Sequence, residues 1–160
     1  MKLKTLALIA ALACSAAQAQ TVDVKNAWVR TSVPGQKATG AFMTLTAKDG
    51  AQLVSVSSPV AGVTELHEMK IEGDIMKMRE VPGGLALPAG LAVELKPGGY
   101  HVMLMDLKAA LPKDTTVPLT LVFKDAKGTE TTLELKLPVA AAAPGGAAPA
   151  KTMDHDAHKH

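Results

Sequence analysis

The stretch GVTELHEMKIEGDIMKMREV, Gly62 to Val81, holds two runs in which apolar and polar residues alternate, separated by Glu72-Gly73-Asp74. Alternation with a period of two is the mark of an extended chain that shows different chemistry on its two faces, and Gly and Asp are turn formers, so the stretch reads as a β-hairpin. Two registers are open. A Glu72-Gly73 loop pairs Ile71 with Asp74, Met69 with Met76 and His67 with Met78. A Gly73-Asp74 loop, the better type II′ candidate because Gly comes first, pairs Ile71 with Met76 and Met69 with Met78. In both, His67, Met69, Met76 and Met78 share one face, with directly opposed Cβ atoms about 4.5–5.5 Å apart. A three-residue loop without a compensating bulge would turn the second strand over and scatter the cluster.

Similar short segments fill the chain on either side. Val22–Arg30, Ala41–Ala47, Leu53–Ser57, Ala92–Leu95, Tyr100–Leu107, Val117–Lys124 and Thr129–Leu137 read as strands, with Gly62–Ile71 and Ile75–Val81 as the hairpin arms. Pro34-Gly35, Asp49-Gly50, Pro82-Gly83-Gly84, Pro97-Gly98-Gly99 and Lys127-Gly128 supply the turns. There is no long helical period and no internal repeat. Evenly spaced short strands predict an all-β antiparallel sandwich or barrel.

The ends differ from this middle. Lys2 and Lys4 precede an apolar run, Leu6 to Ala13, that is too short to span a bilayer, and Ala17-Gln18-Ala19 offers small residues where a signal peptidase reads. Residues 1–19 are therefore expected to be a secretory signal cleaved after Ala19. A lipoprotein signal cleaved at Cys14 would prefer Leu where Ala11 stands. Cleavage after Ala19 removes the single cysteine, Cys14, so the mature chain would hold neither a disulfide nor a thiolate. It also removes two of the 17 basic residues, leaving 15 against 15 acidic ones. A balanced charge and few aromatic residues speak against a nucleic-acid surface, and no other apolar stretch is long enough for stable membrane insertion. From Pro138 the sequence PVAAAAPGGAAPA has almost nothing to bury, so the folded domain is expected over 20–138. Residues 139–160 then form a flexible linker ending in KTMDHDAHKH.

A second stretch matches the hairpin in chemistry. In GYHVMLMDL, Gly99 to Leu107, alternation puts His101, Met103 and Met105 on one side and Val102 and Leu104 on the other. Thioethers are soft and uncharged at every pH, and imidazole is a borderline base. A site of two or three Met with one or two His, lacking thiolate and carboxylate ligands, favours monovalent copper over zinc, calcium or magnesium. The bland reading is that alternating Met is core filler. Against it, the aliphatic residues Leu66, Val102 and Leu104 fall on the opposite faces, and the sulfurs come with both histidines of the domain.

Ten residues separate His67 from Met78 and twenty-two separate Met78 from His101, which is followed at i+2 by Met103. This spacing, with HEMKIEGDIMKMREVPGG, LKPGGYHVMLMDLK and AWVRTSVPGQKATGAFMTL, resembles the motif segments of the PCu(A)C family of periplasmic copper chaperones over nearly all of 20–138. The resemblance implies a cupredoxin-like Greek-key β-sandwich that binds Cu(I) through His67, Met78, His101 and Met103. Met69 lies in the signature segment as an alternative or supporting ligand. Met76 and Met105 would stand at the rim, as spare thioethers for hand-over or as ordinary packing. Trp28 and Tyr100 are shielding residues or core. The implied role is carrying copper in the periplasm to an accepting protein, such as the cytochrome c oxidase subunit that holds CuA or a Sco-like chaperone.

The tail adds Met153, His155, His158 and His160, and some family members carry an extension of this sort associated with Cu(II). Imidazole and carboxylate suit the harder cupric ion, so the tail is a candidate Cu(II) site, with a solvated polar end as the alternative. A blue-copper electron-transfer enzyme would need a Cys thiolate with two His, which the mature chain lacks, so no enzyme activity is expected. The remaining competitor is a structural or adhesion sandwich with a Met-rich surface and no metal.

Overall fold

The computed structural model describes residues 21–145, and every regular element among them is a β-strand. The strands are β1 (Val22–Arg30), β2 (Ala38–Ala47), β3 (Ala51–Ser57), β4 (Ala61–Glu72) and β5 (Ile75–Glu80). They continue with β6 (Leu85–Leu87), β7 (Ala92–Leu95), β8 (His101–Leu107), β9 (Thr116–Lys124) and β10 (Glu130–Ala140). Their spatial order is β5-β4-β8-β2-β1-β10-β9-β3-β6, with β7 also paired to β2. The non-sequential order is that of a cupredoxin-like Greek-key sandwich. Every ladder is antiparallel except the short β1–β10 pair, which aligns Val29 with Val139 and joins the two halves along one edge.

Alternation along each strand sends one face inward. Val29, Ala41, Met43, Leu45, Leu66, Val102 and Leu104 from one half meet Leu53, Leu87, Val117, Leu119, Leu121, Phe123 and Leu137 from the other in one contiguous core. Consequently the residues between them, His101, Met103 and Met105 on β8 and His67 on β4, stand on the face turned away from the core.

Local chemistry sets the details. The β4–β5 hairpin closes on Gly73-Asp74, with Ile71 opposite Met76 and Met69 opposite Met78. Gly73 has φ +65°, as the first position of a type II′ turn requires and as a residue with a Cβ resists. One extra residue in β1, around Asn26 at φ +52°, makes a bulge between Lys25 and Trp28 and brings Trp28 opposite Phe42. Three features escape a reading of the sequence. β10 runs on to Ala140, past the limit expected at Leu137 and into the segment expected as linker, because Val139 is buried in the core and paired with Val29. β6 is only three residues long. β2 begins at Ala38 rather than Ala41, because the Ala38-Thr39-Gly40 segment, poor in strand formers, is held by pairing with β8.

Candidate metal centre

β8 lies between β4 and β2, and its neighbours decide what its outer face meets. Across β4, His101 is opposite His67, Met103 is opposite Glu65, and Met105 is opposite Val63. Across β2, Met103 is opposite Gly40 and Met105 is opposite Ala38. Since β5 extends β4, the thioethers of Met69 and Met78 continue the same face. The two sequence stretches thus form a single surface.

Both histidines are buried, although they sit on the outer face. Their rings are 6.0 Å apart between centroids. His67 Nε2 lies 2.8 Å from Glu65 Oε2. A carboxylate accepts, so Nε2 carries the proton and Nδ1 the lone pair. Nδ1 is buried with no hydrogen-bond partner. Leaving a buried polar atom unpaired costs roughly 1–3 kcal/mol, a cost retained at positions built for a ligand or strained for a purpose. His101 Nδ1 donates to the Gly99 carbonyl at 3.1 Å, which leaves its lone pair on Nε2. The same carbonyl accepts from the Met69 amide at 3.2 Å, tying the Pro97-Gly98-Gly99 turn to β4. Desolvation by burial, with help from the nearby His67 and Arg30 charges, lowers the His101 pKa below 6.5 against the opposing pull of the Gly99 bond. The imidazole is thereby kept neutral, the form that binds metal.

Beside His101 opens a cleft of about 310 Å³ lined by Met69, Met78, His101 and Met103, with Phe42, Gly40 and Arg30 among its walls. Met78 is 47% exposed, and Met69 and Met103 are half-buried. Phe42 stacks on Trp28 with ring centroids 4.8 Å apart, and the Arg30 guanidinium sits 5.2 Å over the Phe42 ring. Neither aromatic belongs to the main core. Phe42 forms a floor of the cleft with Trp28 buried behind it, whereas Tyr100 packs against the main core. Gly40 makes room for this floor: a Cβ there would come within 2.8 Å of the Phe42 ring.

Of the residues singled out from sequence, the structure brings Met69, Met78, His101 and Met103 to one cleft, with His67 directly beside His101. Met76 pairs with Ile71 towards the hairpin tip and Met105 lies one step along β8 beyond Met103; neither lines the cleft. Met153, His155, His158 and His160, and the signal at 1–19, lie outside the described residues. Glu65, Gly40, Phe42 and Arg30 were not singled out. For Glu65 a signal existed, since it sits at i−2 from His67 on the same face.

The donor set fits a soft monovalent ion. Among the described residues no three His, Cys, Asp or Glu side chains gather into a metal cluster; the cleft brings thioethers to His101, and the Glu65 carboxylate is taken up by Nε2 of His67. With metal–nitrogen bonds of about 2 Å on either side plus the two ring radii, one ion spans centroids up to roughly 6.5 Å apart. The observed separation of 6.0 Å falls within that reach.

Fold and cleft together define a cupredoxin-like β-sandwich domain that carries a His/Met face. The LpqE-like family model matches residues 22–139. Lxx21020 of Leifsonia xyli subsp. xyli, named as a lipoprotein, is 34% identical over 119 residues, covering 74% of this chain and 72% of that protein. The solution structure of the Cu(I) form of DR1885 from Deinococcus radiodurans is 35% identical at a TM-score of 0.57, covering 78% of this chain and 82% of that one. The copper-bound PCuAC domain from PmoF2 shares the fold at 22% identity and a TM-score of 0.54, over 74% of this chain and 93% of that one. The chain belongs to the LpqE-like family, the PCuAC-like group to which its motifs point.

Proposed function

We propose that this protein is an exported copper carrier that holds Cu(I) through His67, Met78, His101 and Met103, with Met69 as an alternative thioether, and delivers it to an accepting protein without catalytic turnover. The observation that carries the reading is the buried, unpartnered Nδ1 of His67 beside a second buried imidazole and a cleft lined with thioethers. The Cu(I) form of the DR1885 relative supports it, and the lipoprotein relative Lxx21020 supports export. Neutral ligands in an open cleft suit a carrier: they hold a soft ion without enclosing it, so a partner's ligands can approach.

Periplasmic placement after cleavage at Ala19, and delivery towards the CuA centre of cytochrome c oxidase, alone or with a Sco-like protein, belong to the same proposal. Met76 and Met105 are its hand-over thioethers, and the tail from Met153 to His160 is its Cu(II) site, kept at high local concentration by its tether. Titration of the chain from Gln20 with Cu(I) under reducing conditions tests the core of the reading. One tight equivalent is expected, whereas a structural or adhesion sandwich binds none. Deleting 151–160 is expected to lower Cu(II) stoichiometry and leave the Cu(I) equivalent intact; unchanged Cu(II) binding ends the role of the tail. Incubating the loaded protein with an apo CuA domain and following the CuA absorption tests delivery.

A further inference from the structure

The cleft imidazole of His101 and the neighbouring imidazole of His67 are wired differently. His67 is bonded through Nε2 to a side chain, Glu65, whereas His101 is bonded through Nδ1 to a backbone carbonyl, Gly99. We infer that Glu65 is a positioning residue that locks His67 in the Nε2–H tautomer, so that the two histidines are held in opposite tautomers and offer unlike nitrogens, Nδ1 of His67 and Nε2 of His101. This deepens the Cu(I) reading and rests on it for its purpose.

The geometry carries the assignment. Glu65 and His67 are at i and i+2 on β4 and so share a face, and the register puts Glu65 across from Met103. The Glu65 side chain is only 34% exposed and its oxygen stands 2.8 Å from Nε2. Neutral imidazole has one proton to place, and a carboxylate rewards its placement on Nε2. The lone pair is then forced onto Nδ1, although nothing among the described residues rewards it there. Neutral histidine already leans towards Nε2–H, and the carboxylate turns that lean into a lock, as outer partners of metal-bound histidines generally do. Glu80 is also opposite His67, in the β5 register, but the His67 ring is bonded to Glu65. Glu80 therefore serves as a control for mere proximity of charge.

The experiment has two arms on the chain from Gln20 to His160. Long-range ¹H–¹⁵N correlation spectra of the metal-free protein at neutral pH read each tautomer. The expected pattern is Nε2–H for His67 and Nδ1–H for His101, with His67 turning to a mixture of the two tautomers in Glu65→Ala. Glu65→Gln, whose amide oxygen still accepts, is expected to keep the wild-type pattern. In the second arm, competition with a chromogenic Cu(I) chelator is expected to show a loss of roughly 10–100-fold in Glu65→Ala. Glu65→Gln is expected to recover most of that loss and Glu80→Ala to show none. Wild-type His67 in the Nδ1–H form overturns the inference, as does a folded Glu65→Ala that keeps both tautomer and affinity. Should Glu65→Ala not fold, the wild-type and Glu65→Gln spectra decide alone. A wild-type protein that binds no Cu(I) sinks the carrier reading instead, while the tautomer pattern still decides the role of Glu65.

Discussion

Met78 and Met43 carry the same side chain into opposite surroundings: Met78 is 47% exposed on the cleft and Met43 is 2% exposed in the core. Met78→Ala should therefore lower Cu(I) affinity while shifting stability by no more than about 0.5 kcal/mol, as surface changes do. Met43→Ala should cost about 2–5 kcal/mol and leave the affinity of the folded protein unchanged. Thermal melts paired with chelator competition separate the two. His101 makes a second prediction. Burial, aided by His67 and Arg30, lowers its pKa, so the folded state takes up a proton less readily than the unfolded chain does. Its contribution to stability is then complete above 6.5 and is lost as pH falls below that value through the lowered folded pKa. Melting temperatures of the metal-free protein should decline over this window, and His101→Gln should remove part of the decline. An NMR titration in which His101 titrates at or above the free-imidazole value contradicts the prediction.

Among the elements, the β4–β5 hairpin matters most, because β5 is a sheet-edge strand whose six residues are all exposed. Little packing holds it in place. Its register comes from Gly73 and the turn, and from ion pairs on the face opposite the thioethers, where Arg79 meets Glu68 and Glu72, and Lys77 meets Glu72. Exposed pairs of this kind contribute little each, so the turn geometry dominates. A slip of one residue would carry Met76 and Met78 to the charged face. Exchanging the neighbours, Lys77→Met with Met78→Lys, imitates that slip without altering composition. Cu(I) affinity should fall as far as in Met78→Ala, while the melting temperature moves by only a few degrees because both positions face solvent. Retained affinity would mean that the face on which the thioether stands is immaterial.

Across the whole molecule, the site and the core occupy opposite faces of the same strands. Val102 and Leu104 are buried between His101, Met103 and Met105 on β8, so the strand that carries the donors is held by its other side. Stability and binding should then separate. Phe123→Ala, in the half of the sandwich remote from the cleft, should cost about 3–5 kcal/mol. At temperatures where that variant remains folded, Cu(I) affinity should equal that of the wild type. A parallel loss of affinity would show that the cleft depends on packing throughout the sandwich rather than on β4, β5 and β8.

Much of this was legible in the residues because it is local. β1 and β7 have the limits that their alternation indicates, and of the two hairpin registers the structure adopts the one with Gly at the first turn position. The shared face of His67 and Met69 follows from a period of two, and Met78 joins it through the two-residue turn, which is still local. What no local rule supplies is pairing between strands far apart in the chain. Only the β4–β8 register sets His67 opposite His101, and only the β2–β8 register sets Gly40 beneath Met103. The bonds that assign a lone pair to each imidazole depend in the same way on burial and on neighbours fixed by folding. Sequence determines which donors exist and which share a strand face; the fold decides which of them meet and which atom each one presents, because those are properties of distances between segments and not of the segments themselves.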